Sequence, residues 1–377
     1  MNEDMLLHSP AARRLYHEHA AGLPIIDYHC HLDPQRLASD EPFENITRLW
    51  IAPDQYKHRA MRVVGVPEKY ITGDATDREK FDRWAATVPL TLGNPLFEWT
   101  QLELKRYFDI DELLTPESAD RIWERCNSVR LTPRQLLARS NVELVCTSNL
   151  PDEELLPLGP MVMPSLRDAE KVDAARFDEF EKCGCRLSDH GVDDPRQLDP
   201  LLPLAREYAR RGWVMQLHLG AQRETSSRLR AIAGPRGGYA TIGNTCDIPA
   251  LCRFLDTLDK DDALPRTILY PLNPADYAAI ATLTGSFPGK LQFGPAWWFN
   301  DHSLGIRQHL EALASYGLLS TFIGMTTDSR SFLSMSRHEY FRRILCNFLA
   351  ELSEDETLTS AMVRGICHDN AHRWLQP

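Results

Sequence analysis

The feature that most constrains the fold is a repeated alternation of short apolar runs with amphipathic stretches. The runs are LPIIDYH (23–29), VELVCTS (142–148), MVMPSL (161–166), CRLSD (185–189), WVMQLHL (213–219), TILYPLN (267–273), KLQFGPA (290–296) and TFIGMTTD (321–328). Several are apolar almost throughout, the pattern of parallel strands buried on both faces. Between them lie helical patterns such as AARFDEFEKCG, PLLPLAREYARRG, IPALCRFLDTLDK and GIRQHLEALASYG, several ending at glycine, a usual helix stop. Strands and helices in this order predict an α/β fold, a distorted (β/α)8 TIM-type barrel. Two later segments, SRHEYFRRILCNFLAEL and SAMVRGICHDNAHRWL, would close the outer ring. The first of them reads as amphipathic packing, with an interface as the other reading.

Two connections break the rhythm. Residues 32–141, between the first and second runs, read as mostly helical (ESADRIWERCNSV, TPRQLLARS). They are predicted to be a helical insertion or lid on the catalytic end of a barrel formed by 1–31 and 142–377. The next connection, NLPDEELLPLGP, is too short for a full helix. A length of 377 residues suits a barrel of about 250 residues carrying an insertion.

Charge and cysteine usage narrow the partners. The net charge is −11 with no run of like charges, which disfavours nucleic acid and anionic membranes. No window approaches the roughly 18 apolar residues of a membrane span, and the N-terminus lacks an apolar signal core. The nine cysteines are odd in number and lack zinc-ribbon spacing, with Cys183 and Cys185 expected on one side of a strand. A reducing, cytoplasmic setting is the expectation.

The candidate chemistry starts at DYHCHL. In a strand, residues two apart face the same way, so Asp27, His29 and His31 are expected to project together. Two imidazoles from one strand end supply half a tetrahedral zinc site, although two histidines at a strand end can also simply be hydrogen-bonded. Asp328 in GMTTDSRSF ends the eighth run, which neighbours the first in a closed barrel. Its carboxylate would reach the same metal, unless it only caps the next helix. The two features together are more specific than either.

Further candidates surround this centre. Arg167 in MPSLR and Arg223 in LHLGAQR both follow strands, and a planar guanidinium suits a carboxylate; structural ion pairs are the alternative. His218 in QLHLG is either a third histidine near the metal or, preferred, a substrate contact. Asp189 and His190 in SDHG stand at the mouth without an assigned role. PAWWFND places Trp297, Trp298 and Phe299 in succession; one tryptophan, taken here as Trp298, is expected to face the pocket.

The pairing of HxH with a strand-eight aspartate resembles the amidohydrolase superfamily. Its two-metal hydrolases add a carboxylated lysine after strand four and histidines after strands five and six. Here strand four reads RLSDHG, with no lysine, and strand six ends YPLNP, with no histidine. The ligand set supports one metal, and the hydrolytic apparatus is incomplete.

The longer blocks DYHCHL, DQYKHRAMR, GNPLFEWTQLEL, QFGPAWWFND and GMTTDSRSFLSMSRHEYFRRILCN resemble the uronate isomerase family of that superfamily. The resemblance implies aldose–ketose isomerisation of a hexuronate, D-glucuronate to D-fructuronate or D-galacturonate to D-tagaturonate, through an enediol. It implies a single divalent metal, zinc expected, on His29, His31 and Asp328. Asp328 would also be the base at C2, Arg330 would polarise the sugar oxygens and Tyr56 would assist proton transfer between them. A homo-oligomer is expected. The chain departs from the family in being shorter, in a compressed segment between VCTSN and MPSLR, and in GPRGGYATIG, where an acidic GPDTGF-like loop is usual. A mononuclear hydrolase and a non-catalytic sugar-acid binder are the alternatives, and loss of C2 hydrogen to solvent separates the isomerase from both.

Overall fold

The computed structural model describes residues 2–376 except 157, 168, 170, 171 and 236. Its main sheet is parallel, with strands β1 (Ile25–Cys30), β2 (Val142–Asn149), β3 (Val162–Arg167), β4 (Leu187–Val192) and β5 (Val214–Leu219) paired in sequence. A two-residue ribbon follows, β6 (Ala221–Gln222) against β7 (Thr241–Ile242). The main sheet then resumes with β8 (Thr267–Pro271) beside β5, and β9 (Leu291–Phe293) beside β8. The strands are buried almost throughout, which is why they read as continuous apolar runs.

Helices Ala174–Lys182, Leu202–Arg211, Ile248–Asp259, Tyr277–Leu283 and Ser303–Tyr316 occupy the expected connections. The helix Leu202–Arg211 stops at Gly212, whose φ of 68° is the left-handed conformation that ends helices. Between β2 and β3 the described residues contain no helix. Residues 32–141 carry helices including Gln55–Val63, Asp77–Thr87, Pro95–Phe108 and Ala119–Ser128, and no strand among the described residues. No described helix is long and apolar enough to cross a membrane.

Three expectations are corrected. The eighth run is extended but makes no ladder, so the described sheet has seven parallel strands. Gly324 (φ 80°) and Asp328 (φ 48°) turn its backbone out of strand geometry. The segment still lies against β1: Asp328 N–H donates to His29 O (3.0 Å), His31 N–H to Ser329 O (2.8 Å) and Tyr28 Oη–H to Gly324 O (2.6 Å). Secondly, Cys183 follows the helix Ala174–Lys182 and Cys185 precedes β4, so neither lies on a strand; all nine cysteines are free.

Thirdly, Asp27 does not join the two histidines. The β1–β2 register shifts between Asp27 and Cys30, which breaks the two-residue alternation. Asp27 turns instead to Thr326 Oγ1, Thr327 Oγ1 (2.6 Å) and His338 Nε2 (3.5 Å), fully buried. It anchors the segment leading to Asp328.

Helix Ser336–Leu352 is buried over most of its length, Arg337, Arg342 and Arg343 included. Arg342 donates to Leu23 O and Pro24 O, both at 2.8 Å, and so fixes the entry to β1.

Candidate active site

At the C-terminal ends of the strands, His29, His31 and Asp328 converge. Both imidazoles direct Nε2 at Asp328 Oδ1, His29 at 3.1 Å and His31 at 2.8 Å. Asp328 is a non-glycine residue in the left-handed region, a conformation tolerated best by Asp and Asn and often found at functional sites. That turn lets its N–H bind β1 while its carboxylate faces the histidines.

A second cluster shares His29. Asp189 on β4 lies 2.9 Å from His218 Nδ1 on β5, accepts from Ser148 Oγ at 3.1 Å and pairs with Arg167 Nε at 3.6 Å. Arg167 and Asp189 are register partners across β3 and β4. Arg167 Nη1 also lies 3.4 Å from His31 Nδ1. The next residue, His190, points the other way to Tyr208 Oη (3.0 Å). Strand alternation thus sorts the SDHG pair, one residue into the site and one behind it.

The His218 ring stacks on Tyr270, 4.3 Å between centroids and 8° between planes, and meets Trp297 at 4.7 Å. Tyr270 fits there because position 294 has no side chain. A Cβ on Gly294 would sit 2.6 Å from the Tyr270 ring. Gly294→Ala is therefore expected to destabilise the protein by about 1–3 kcal/mol through overpacking, measured by denaturant unfolding, and an unchanged midpoint would contradict this packing.

The electrostatics favour a cation. Burial works against an ionised Asp328, yet its contacts with His29 and His31 hold it well below the usual carboxylate range. Burial likewise opposes Asp189, but the charges of His29 and His218 hold it low. Burial pushes His31 down, and burial with the nearby His29 charge brings His218 to about 4. His29 is the exception: burial lowers it, and the charges of Asp189 and Asp328 outweigh this and raise it. A site between two anions that draws a proton onto His29 also suits a metal ion.

The donor set fits one. The ligand atoms of His29, His31 and Asp328 lie within 4.8 Å of one another, as do those of His29, Asp189 and His218. His29 Nδ1 and His218 Nε2 are buried with no partner among the described residues. Imidazole and carboxylate donors are those of zinc and similar divalent ions.

A cavity of about 310 Å³ opens over both clusters, within the roughly 300–1,000 Å³ of small-molecule sites. Arg167, Arg223, His218, Trp298, Asp328 and Arg330 all line it. Arg223 is held by Asp193 at 3.0 Å. A Cβ on Gly191 would stand 2.6 Å from Arg223 Nη2, so the glycine makes room for that guanidinium.

Tyr56, like Asp27 and His190, does not line this cavity. Its neighbour Gln55 lines it, whereas Tyr56 lines an adjoining cavity that shares Trp298. Glu224, Arg230 and Tyr239, on the excursion between β6 and β7, also line the larger cavity. Sequence reading missed them because two-residue strands leave no periodic signal. The unusual GPRGGYATIG loop was the available clue.

Comparison with known proteins points to one family. The family model described as glucuronate isomerase matches residues 1–158 and 197–375. The uronate isomerase of Salmonella arizonae is 42% identical over 463 aligned positions, covering 100% of this chain and 98% of that protein. That of Bacillus licheniformis is 40% identical over 460 positions, covering 100% and 97%. Those alignments exceed the 377 residues here, so the relatives carry segments this chain lacks. The crystal structure of uronate isomerase from Thermotoga maritima superposes with a TM-score of 0.92 at 29% identity, covering 100% of this chain and 99% of that one. The chain belongs to the uronate isomerase family.

Proposed function

We propose that this protein interconverts an aldohexuronate and its 2-keto isomer, D-glucuronate with D-fructuronate and D-galacturonate with D-tagaturonate. The observation that carries the reading is one cavity in which His29, His31 and Asp328 face the guanidinium-bearing residues Arg167, Arg223 and Arg330. Such a site holds a polyhydroxy acid by its oxygens and its carboxylate. The mononuclear-hydrolase alternative lacks support, since the strand-six histidine it needs is absent from YPLNP.

His29, His31 and Asp328 would hold one divalent ion, zinc expected. When bound, it supplies Lewis-acid polarisation of the sugar oxygens. Isomerisation moves hydrogen from C2 to C1 and a proton from O2 to O1. Asp328, held as the anion, takes the C2 proton and returns it to C1. Arg330 stabilises the charge that develops on the oxygens, a service often worth about 3–4 kcal/mol per donor in a dry site. Arg167 and Arg223 bind the substrate carboxylate, His218 and Trp298 contact the ring, and Tyr56 moves the proton between the oxygens at the border of the two cavities.

Residues 32–141 act as a lid. Arg59 Nη1 donates to Ala240 O (2.8 Å) and Arg62 Nη1 to Gly237 O (2.5 Å), tying helix Gln55–Val63 to the loop before β7. Closing the site in this way excludes water from the enediol.

The test is incubation of metal-replete protein with D-glucuronate or D-galacturonate in D2O. Ketose formation and deuterium at the transferred hydrogen are expected. No exchange with any hexuronate would overturn the reading.

A further inference from the structure

The adjoining cavity, about 220 Å³, is lined by Tyr56, Trp99, Trp298, Asp301 and His302 among others. Two buried polar atoms there, the Tyr56 hydroxyl and Asp301 Oδ2, have no hydrogen-bonding partner among the described residues. Leaving such groups dry is costly, and a cavity of this size has room for bridging water.

Arg337 joins the two. It is fully buried, and its guanidinium lies over the rings of Tyr56 (4.5 Å) and Trp99 (4.0 Å). Its Nη1 is 3.8 Å from Asp301 Oδ2 and 3.5 Å from the carbonyl of Thr327, the residue before Asp328; its Nη2 is 4.0 Å from Asp54 Oδ2. One cation therefore touches the lid, the loop after β9 and the end of the eighth run.

We infer that Asp301 is the proton reserve of Tyr56, exchanging with it through water in this chamber, and that Arg337 is the positioning residue that holds both. This rests on the proposed role of Tyr56 at the sugar oxygens. The phenol O–H breaks as its proton passes to O1, leaving its electron pair on a phenolate. The Asp301 carboxyl then passes its proton through water to the phenolate. In the second half the O2 hydroxyl proton returns through Tyr56 to the Asp301 carboxylate. No net proton is consumed and no outside oxidant is involved.

The groups around Asp301 fit such a reserve. Burial pushes its carboxyl up to about 7; Arg337 opposes this, while the charges of Asp328 and Asp27 add to it. Arg59 and His302 stand on the chamber wall, Asp54 is neutralised by Lys57 (2.5 Å), and the Tyr340 hydroxyl accepts from Ser303 N–H (3.0 Å). Burial also pushes Tyr56 up, with Arg337 opposing. A carboxyl that must be protonated to donate predicts a kcat that falls as pH rises through about 7.

The experiment is the pH profile of kcat in metal-loaded protein saturated with hexuronate. Asp301→Asn is expected to lower kcat at pH 6 by at least about tenfold, to leave KM unchanged and to abolish the alkaline fall. Tyr56→Phe should lower kcat as well, and adding Asp301→Asn to it should cost nothing more. Full activity in Tyr56→Phe would sink the role of Tyr56. An impaired Tyr56→Phe beside an Asp301→Asn that keeps the alkaline fall would overturn the inference alone. Should Asp301→Asn not fold, judged by circular dichroism, Arg337→Gln decides: loss of the cation must move the fall to higher pH, and an unmoved limb rejects Asp301 as its source.

Discussion

Asp328→Asn is expected to cost about a thousandfold in kcat, the order lost when a general base is removed. The amide cannot accept the C2 proton, so deuterium exchange at carbon should fall with turnover. The fold should survive. Asn tolerates the left-handed backbone at φ 48° nearly as well as Asp, and its Oδ1 can still face one imidazole. Because the carboxylate is also a proposed ligand, metal content must be measured on the same preparation. A variant that keeps its metal and loses exchange isolates the base role. Exchange within tenfold of the parent, in metal-loaded protein, would remove Asp328 as base.

Much of this site was legible in the sequence because its parts are local or adjacent by topology. The HxH pair sits on one strand, and closure of a barrel brings the eighth run beside the first, so Asp328 could be paired with His29 and His31 from topology. What was not legible depends on local departures from regular geometry or on partners far away in the chain. The register shift after Asp27 reversed its expected direction, and the positive φ angles of Gly324 and Asp328 kept the eighth run out of the ladder. Asp189 was visible but had no role, since Ser148, Arg167 and His218 reach it from three other strands. Both Arg167 and Asp189 lie in residues 159–196, the stretch the family model passes over. Arg337 lies on a helix that reads as amphipathic, and nothing in that pattern reveals a cation packed between Tyr56 and Trp99.

His31→Ala and His218→Ala should separate the two clusters that share His29. His31 shares Asp328 Oδ1 with His29, so its loss leaves two of three converging ligands. Outer partners of a metal ligand already account for about 10–100-fold in affinity, and a direct ligand should account for more. His31→Ala is therefore expected to weaken metal binding by more than about 100-fold, with turnover falling in parallel and partly recovering in excess metal. His218 differs in having its Nδ1 committed to Asp189 and its ring clamped between Tyr270 and Trp297. A side chain held in that way is better suited to contact substrate. His218→Ala should keep stoichiometric metal, measured by elemental analysis after gel filtration, while kcat/KM falls. The reverse pattern, metal lost with His218 and kept without His31, would move the ion to the His29–Asp189–His218 cluster. Asp328 would then be free of the metal, and the base would be an unligated carboxylate.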